Sequence, residues 1–228
     1  VPVRREALLC NSNQFATEFR WPGPCSCIQC CCIQRLRFIF NVMRCQICAR
    51  SSLTNNPCGN CIKRPPYFSQ SLVLFNYQYP VNELIKAFKF GKRAELAFRF
   101  AEKLVEKAMN TNKLPDSLIP VPLHKTRQRS RGYNQSLELA KHISRTFNIS
   151  LDTASCKRIK NTETQSTLPI KTRERNVKSA FTLTHHELPQ HVAIVDDVIT
   201  TGSTVNEIAR LLKRSGCERV DVWAIARA

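Results

Sequence analysis

No apolar run in the sequence approaches the ~20 residues that a membrane-crossing helix needs. The longest candidate, residues 38–42, is short and flanked by Arg37 and Arg44, so no membrane span is expected. A secretory signal is missing too, since the first residues hold no apolar core followed by a small-residue cleavage site; a cytoplasmic location is therefore expected. There is no internal repeat and no low-complexity tract, which leaves an ordinary globular chain. Acidic residues are scarce, 17 against 35 Lys and Arg, for a formal net charge of +18. The imbalance is concentrated in residues 120–178, with 13 Lys or Arg against 4 Asp or Glu. Such an excess attracts polyanions, either nucleic acid or a highly charged small molecule, although a merely solvated basic surface has the same composition. The 228 residues, 43% of them hydrophobic, allow one well-cored domain and a smaller module.

Cysteine is nearly absent beyond residue 61, where only Cys156 and Cys217 occur; the other ten of the 12 lie before residue 62. Clustering of this kind without a secretion signal points to metal rather than to disulfides. Cys45 and Cys48 form one CxxC pair, and nine residues later Cys58 and Cys61 form another. Each pair turns two thiolates to one side, and four thiolates close a tetrahedral zinc site with no open position. Redox use of the thiols is the alternative. Cys27 and Cys30 are a further CxxC and candidates for a second site, while Cys10, Cys25, Cys31 and Cys32 fit no metal spacing. A module this small has little core, so a bound metal would supply its folding energy. Pro65 and Pro66 mark its end. The expected division is a cysteine-rich zinc-ribbon module over residues 1–64, with 1–44 poorly defined, and a larger domain over 65–228.

The larger domain reads as alternating strands and helices. Residues 71–79 are apolar and aromatic, a strand. Residues 81–90 repeat apolar groups at helical spacing, with Leu84, Ile85 and Phe88 on one face, and a second helix over 94–109 buries Leu96, Phe100, Leu104 and Ala108. A strand over 117–123 leads into a basic loop carrying His124, Lys125, Arg127, Arg129 and Arg131, then a helix from about Asn134 to Phe147. Such a loop suits a pyrophosphate. Another strand is expected over 152–160. Residues 162–181 are polar, basic and broken by Pro169, in the manner of a hood, with Gln165, Arg173 and Asn176 as hydrogen-bonding groups. Gly216 stops the last helix before a final buried strand over 220–226.

Residues 192–204, VAIVDDVITTGST, organise the rest. Four apolar residues, 192–195, read as a buried strand, and Asp196 and Asp197 follow where it would leave the sheet. Thr200, Thr201, Gly202, Ser203 and Thr204 then form a small-residue turn into a helix with Val205, Ile208, Ala209 and Leu212 inward. N–H groups at the helix start, the hydroxyls and the helix dipole suit a phosphate. Carboxylates one step earlier suit vicinal sugar hydroxyls. A sugar phosphate satisfies both halves.

This string closely resembles the phosphoribosyl-pyrophosphate (PRPP) loop of type I phosphoribosyltransferases. The resemblance implies that Asp196 and Asp197 contact the ribose hydroxyls and that residues 200–204 wrap the 5-phosphate. Taken with the two CxxC pairs and the trailing KRPP, the RGYNQ run at 131–135 and the hood, the chain from about residue 45 onward resembles the ComF family, the group of GntX-type and competence proteins. The first 44 residues depart from that family's orderly CxxC pairs. The resemblance implies an α/β fold, a type I phosphoribosyltransferase-like parallel sheet flanked by helices, with a small N-terminal zinc ribbon. It implies PRPP bound with Mg²⁺, structural Zn²⁺, and a part in DNA uptake and DNA utilisation through single-stranded DNA and other competence proteins. An active phosphoribosyltransferase of nucleotide metabolism, with an acceptor that no residue names, is the alternative.

Overall fold

The computed structural model describes residues 43–91, 93–111, 113–160, 177–184 and 188–228. The expected second CxxC, Cys27 and Cys30, and the hood residues Gln165, Arg173 and Asn176 lie outside these.

In chain order the elements are α1 (Gly59–Lys63), β1 (Gln70–Asn76), α2 (Val81–Phe90), α3 (Leu96–Ala108), β2 (Ser117–Pro120), α4 (Lys125–Arg131), α5 (Gln135–Phe147), β3 (Ser150–Leu151), β4 (Cys156–Arg158), β5 (Phe181–Leu183), β6 (His191–Ile199), α6 (Ser203–Arg214) and β7 (Arg219–Arg227). Five strands form one sheet in the order β1-β7-β6-β2-β3, and every neighbouring pair is parallel. This is the expected α/β sheet, flanked by helices on both faces. Among the described residues no helix is long and apolar enough to cross a membrane.

The central strands are apolar without alternation because both sheet faces are covered. Successive side chains of a strand point to opposite faces. Ala193 and Val195 accordingly join α2, α3 and α5 in one core, through Phe88, Phe100, Leu139 and Ile143. Val192 and Ile194 join α6 in the other, through Val205, Ile208, Ala209 and Leu212. Residues 192–195 are fully buried.

Three expectations shift. The strand read as ending at Val195 continues to Ile199, because β7 pairs with it as far as Ile199↔Arg227; Asp196 and Asp197 therefore lie within β6 and not beyond it. The basic loop of His124, Lys125, Arg127 and Arg131 is a helix, α4. His124 caps its start by accepting from the Thr126 N–H, and Gly132, at φ 80°, ends it in the left-handed conformation that favours glycine. Of the strand expected over 152–160 only β4, Cys156–Arg158, forms; the short β3 ends just before that range, at Leu151. Asp152 breaks the expected strand by accepting the N–H groups of Ala154 and Ser155, each at 2.9 Å, and β4 then pairs antiparallel with β5 in a separate ribbon.

Topology sets the site. Adjacent strands β2 and β6 send their following helices to opposite faces, α5 to one core and α6 to the other. Chains diverging this way leave a crevice outside the carboxyl ends of the strands.

Candidate functional site

That crevice holds the acid pair. Asp196 Oδ1 accepts from the Asp197 N–H at 2.9 Å and from the Ser136 hydroxyl, on the first turn of α5, at 3.2 Å. Asp197, 7% exposed, has Lys89 Nζ 2.9 Å from its Oδ1. Burial, and then the charge of Asp197, push the Asp196 carboxyl up to about 7, against the opposing pull of Lys89. One acid thus holds a lysine, and the other titrates near neutrality.

The turn after β6 is built for a helix start. Gly202 caps α6 at φ 87°, a conformation that L side chains rarely adopt. An added Cβ would meet only Ile199 Cγ2 at 3.9 Å, so backbone conformation and not space calls for glycine. The hydroxyls of Thr201 and Ser203 lie 2.6 Å apart, and the Ser203 N–H donates to Thr201 Oγ1 at 3.2 Å. An α6 of 12 residues adds its dipole to these N–H groups and hydroxyls, a chemistry that favours a phosphate.

Helix α4 runs from the carboxyl end of β2. Arg127 is half-buried there, and its charge lowers the nearby Arg158, which burial brings to about 10. Arg131 is differently employed: its Nη1 donates to Gln135 Oε1 at 3.2 Å and its guanidinium lies 5.2 Å from the Phe90 ring centroid. It braces the start of α5 against α2. Lys125 is exposed.

The four cysteines come together. The sulfurs of Cys45, Cys48, Cys58 and Cys61 all lie within 4.8 Å of one another, with Cys45–Cys61 at 3.9 Å and Cys48–Cys58 at 3.7 Å. Zn–S bonds of ~2.3 Å in a tetrahedron put sulfurs ~3.8 Å apart, so the cluster fits zinc. Burial raises the Cys45 thiol, but the N–H groups of Cys48, Cys58 and Ile47 outweigh it and bring the group down to about 6. Burial pushes Cys61 up. The cluster is fastened to the sheet. The Ser71 hydroxyl donates to the Ile47 carbonyl at 2.6 Å, and Ala49 and Phe68 share a core with Val73 and Val222.

Three further residues belong to this site beyond those expected from the sequence. Lys89 stands four residues after the fully buried Ile85, on the same helix face; a cation beside a buried stripe signals a buried partner. Ser136 follows the capping Asn134 and is itself buried. Arg227 is a charge inside an apolar strand, 5% exposed. Its Nε donates to the Cys48 carbonyl at 3.0 Å and its Nη1 to the Ile199 carbonyl at 2.9 Å. Nη1 also reaches the Thr200 and Ala228 carbonyls. One guanidinium therefore ties the cysteine cluster to the turn that precedes α6.

Residues 134–228 match the phosphoribosyl transferase domain family. The chain is 43% identical over 179 residues to competence protein F of Haemophilus influenzae, covering 75% of this chain and 78% of that protein. It is 36% identical over 206 residues to the DNA utilization protein YhgH of Escherichia coli, covering 80% of this chain and 89% of that protein. Competence protein ComFC of Bacillus subtilis is 27% identical over 227 residues, covering 92% of this chain and 89% of that protein.

Proposed function

The chain belongs to the ComF family, and from that premise we propose that it serves DNA uptake and utilisation by binding PRPP in its carboxyl-terminal domain and single-stranded DNA on its basic surface. In this reading residues 65–228 are the PRPP domain and residues 1–64 a zinc-ribbon module, working in the cytoplasm alongside other DNA-uptake proteins. Asp196 and Asp197 accept hydrogen bonds from the ribose 2- and 3-hydroxyls, and Thr200, Thr201, Gly202, Ser203 and Thr204 wrap the 5-phosphate. His124, Lys125, Arg127 and Arg131 supply positive charge towards the pyrophosphate, and Gln165, Arg173 and Asn176 belong to a hood over it. Arg131 has the least to offer, being held by Gln135. Mg²⁺, a hard cation that takes carboxylate and phosphate oxygens, would neutralise the pyrophosphate when bound.

The single observation that carries the reading is the acid pair at the carboxyl end of β6 followed within a few residues by the Gly202 turn and α6. Lys89 on Asp197 lowers the cost of two adjacent buried carboxylates. Calorimetric titration of PRPP with Mg²⁺ tests it. Native protein should bind in the micromolar range, and Asp196→Asn/Asp197→Asn should lose at least tenfold in affinity. Absence of binding by folded native protein would sink the reading.

The match of residues 134–228 to a transferase family favours a second reading, an active phosphoribosyltransferase acting on an acceptor. Positioning and charge stabilisation would carry such a reaction. Its signature is pyrophosphate released from PRPP in the presence of an acceptor and absent from the Asp196→Asn/Asp197→Asn variant.

A further inference from the structure

A cleft of about 490 Å³ lies between the cysteine cluster and the start of α6. The turn residues Thr201, Gly202 and Ser203 line it together with residues between Cys48 and Phe68, among them Arg50, Arg64 and Tyr67. The acid pair Asp196 and Asp197 does not line it. A phosphate seated on the turn therefore has two directions in which to continue, towards the carboxylates or into the cleft.

The two directions suit different molecules. Carboxylates accept from vicinal sugar hydroxyls, which PRPP has; a DNA strand has no 2′-hydroxyl, and its 3′-oxygen is esterified. The cleft instead offers cations. Arg50, Arg64 and Lys178 line it, are exposed, and form no ion pair among the described residues. The one acid of the lining, Glu207, is held by Arg210 through two bonds of 2.9 Å and by the Ser179 N–H at 3.0 Å. Arg227, also in the lining, is committed to backbone carbonyls. Tyr67, 49% exposed, stands in the same lining and presents a ring on which an unstacked base can lie. A duplex keeps its bases stacked and offers no such face.

We propose that this cleft holds a single DNA strand with one backbone phosphate on the Thr201–Ser203 turn, so that the strand and PRPP exclude one another. The inference rests on the reading above that this turn takes a phosphate and that the chain binds single strands. It deepens that reading by assigning the strand a place and a competitor.

The test is fluorescence anisotropy of a labelled oligothymidine with the full chain, native and Arg50→Gln/Arg64→Gln. Both positions lie outside the PRPP machinery. Saturating PRPP with Mg²⁺ should displace the strand from native protein. The double variant should bind the strand about tenfold more weakly, with a salt slope shallower by about 1.4, since each single-strand phosphate contact contributes about 0.7. Its bound zinc and its calorimetric PRPP affinity should stay as in native protein. If bound zinc falls, Arg64→Gln alone, beyond the last cysteine, repeats the test with half the charge change. A strand that remains bound under saturating PRPP, or that binds the variant as it binds native protein, overturns the inference and leaves single-strand binding itself standing. No strand binding by native protein sinks the underlying reading as well. If calorimetry finds no PRPP binding, the sugar-phosphate reading falls and the cleft is judged by the arginine variants alone.

Discussion

The cysteine segment and the sheet are held together by different physics. Between residues 43 and 64 the buried hydrophobic groups are Cys45, Ala49 and Cys61, and two of these are themselves sulfur ligands in waiting. The sheet buries apolar groups on both faces, with Val192 to Val195, Val222, Ala224 and Ile225 almost wholly removed from solvent. Burial of that kind stabilises at about 25 cal/mol per Å² whatever the surroundings contain. A thiolate cluster stabilises only when a metal is present, because four sulfurs this close otherwise repel when charged. One region is thus conditional on its medium and the other is not, yet both line the same cleft.

The sharpest way to break this contrast is to strip metal. Structural zinc contributes on the order of 10–16 kcal/mol of folding free energy to a small module. A strong chelator should therefore abolish hydrogen-exchange protection over residues 43–64 while the amides of β6 and β7 stay protected. Simultaneous loss of protection in both would mean that the sheet depends on the module and that the contrast is false. A smaller effect is expected at Arg227, whose guanidinium bridges the two regions. Arg227→Gln takes a donor from the Cys48, Ile199 and Thr200 carbonyls, of which Ile199 keeps the Ala228 N–H, and losing hydrogen bonds from a charged group costs about 2 kcal/mol. Denaturant unfolding should show that loss, and PRPP affinity should fall with it because the turn before α6 is no longer anchored. Unchanged stability would show that water replaces the guanidinium without cost.

What was legible in the sequence follows the same division. Short-range patterns read well: helix α2 falls on residues 81–90 as its apolar spacing requires, and the CxxC spacing brings Cys45, Cys48, Cys58 and Cys61 together. Long-range pairing did not. The extension of β6 through Asp196 and Asp197 depends on β7, more than twenty residues further on, which keeps hydrogen-bonding it to Ile199. Likewise Lys89 reaches Asp197 across more than a hundred residues, and only the odd position of a cation beside Ile85 hinted at a partner. The α4 segment shows a third kind of miss. Its charges suggested a loop, but Lys, Arg and Gln are good helix formers, and His124 and Gly132 close its two ends.

The smallest expected effect concerns Asp196, where function and stability pull apart. Its folded carboxyl is raised to about 7 from an ordinary value of 3.8. The folded state therefore holds that proton more tightly than the unfolded chain does. Below about pH 4 both states are protonated and nothing is lost. As pH rises from about 4 to 7 the unfolded chain ionises first, so stability falls, and above 7 the loss is complete. Asp196→Asn removes the group that suffers this loss. Without ligand it should be more stable than native protein near pH 8, with the difference vanishing towards pH 4. Saturating PRPP and Mg²⁺ should reverse the order, since a ligand that binds only the native fold stabilises it by mass action. Melting curves across that pH range decide the matter. A variant that melts below native protein at pH 8 would show that the Ser136 hydroxyl and the Asp197 N–H already compensate the charge. A gain confined to high pH would mark Asp196 as a residue kept for its ligand at the expense of the fold.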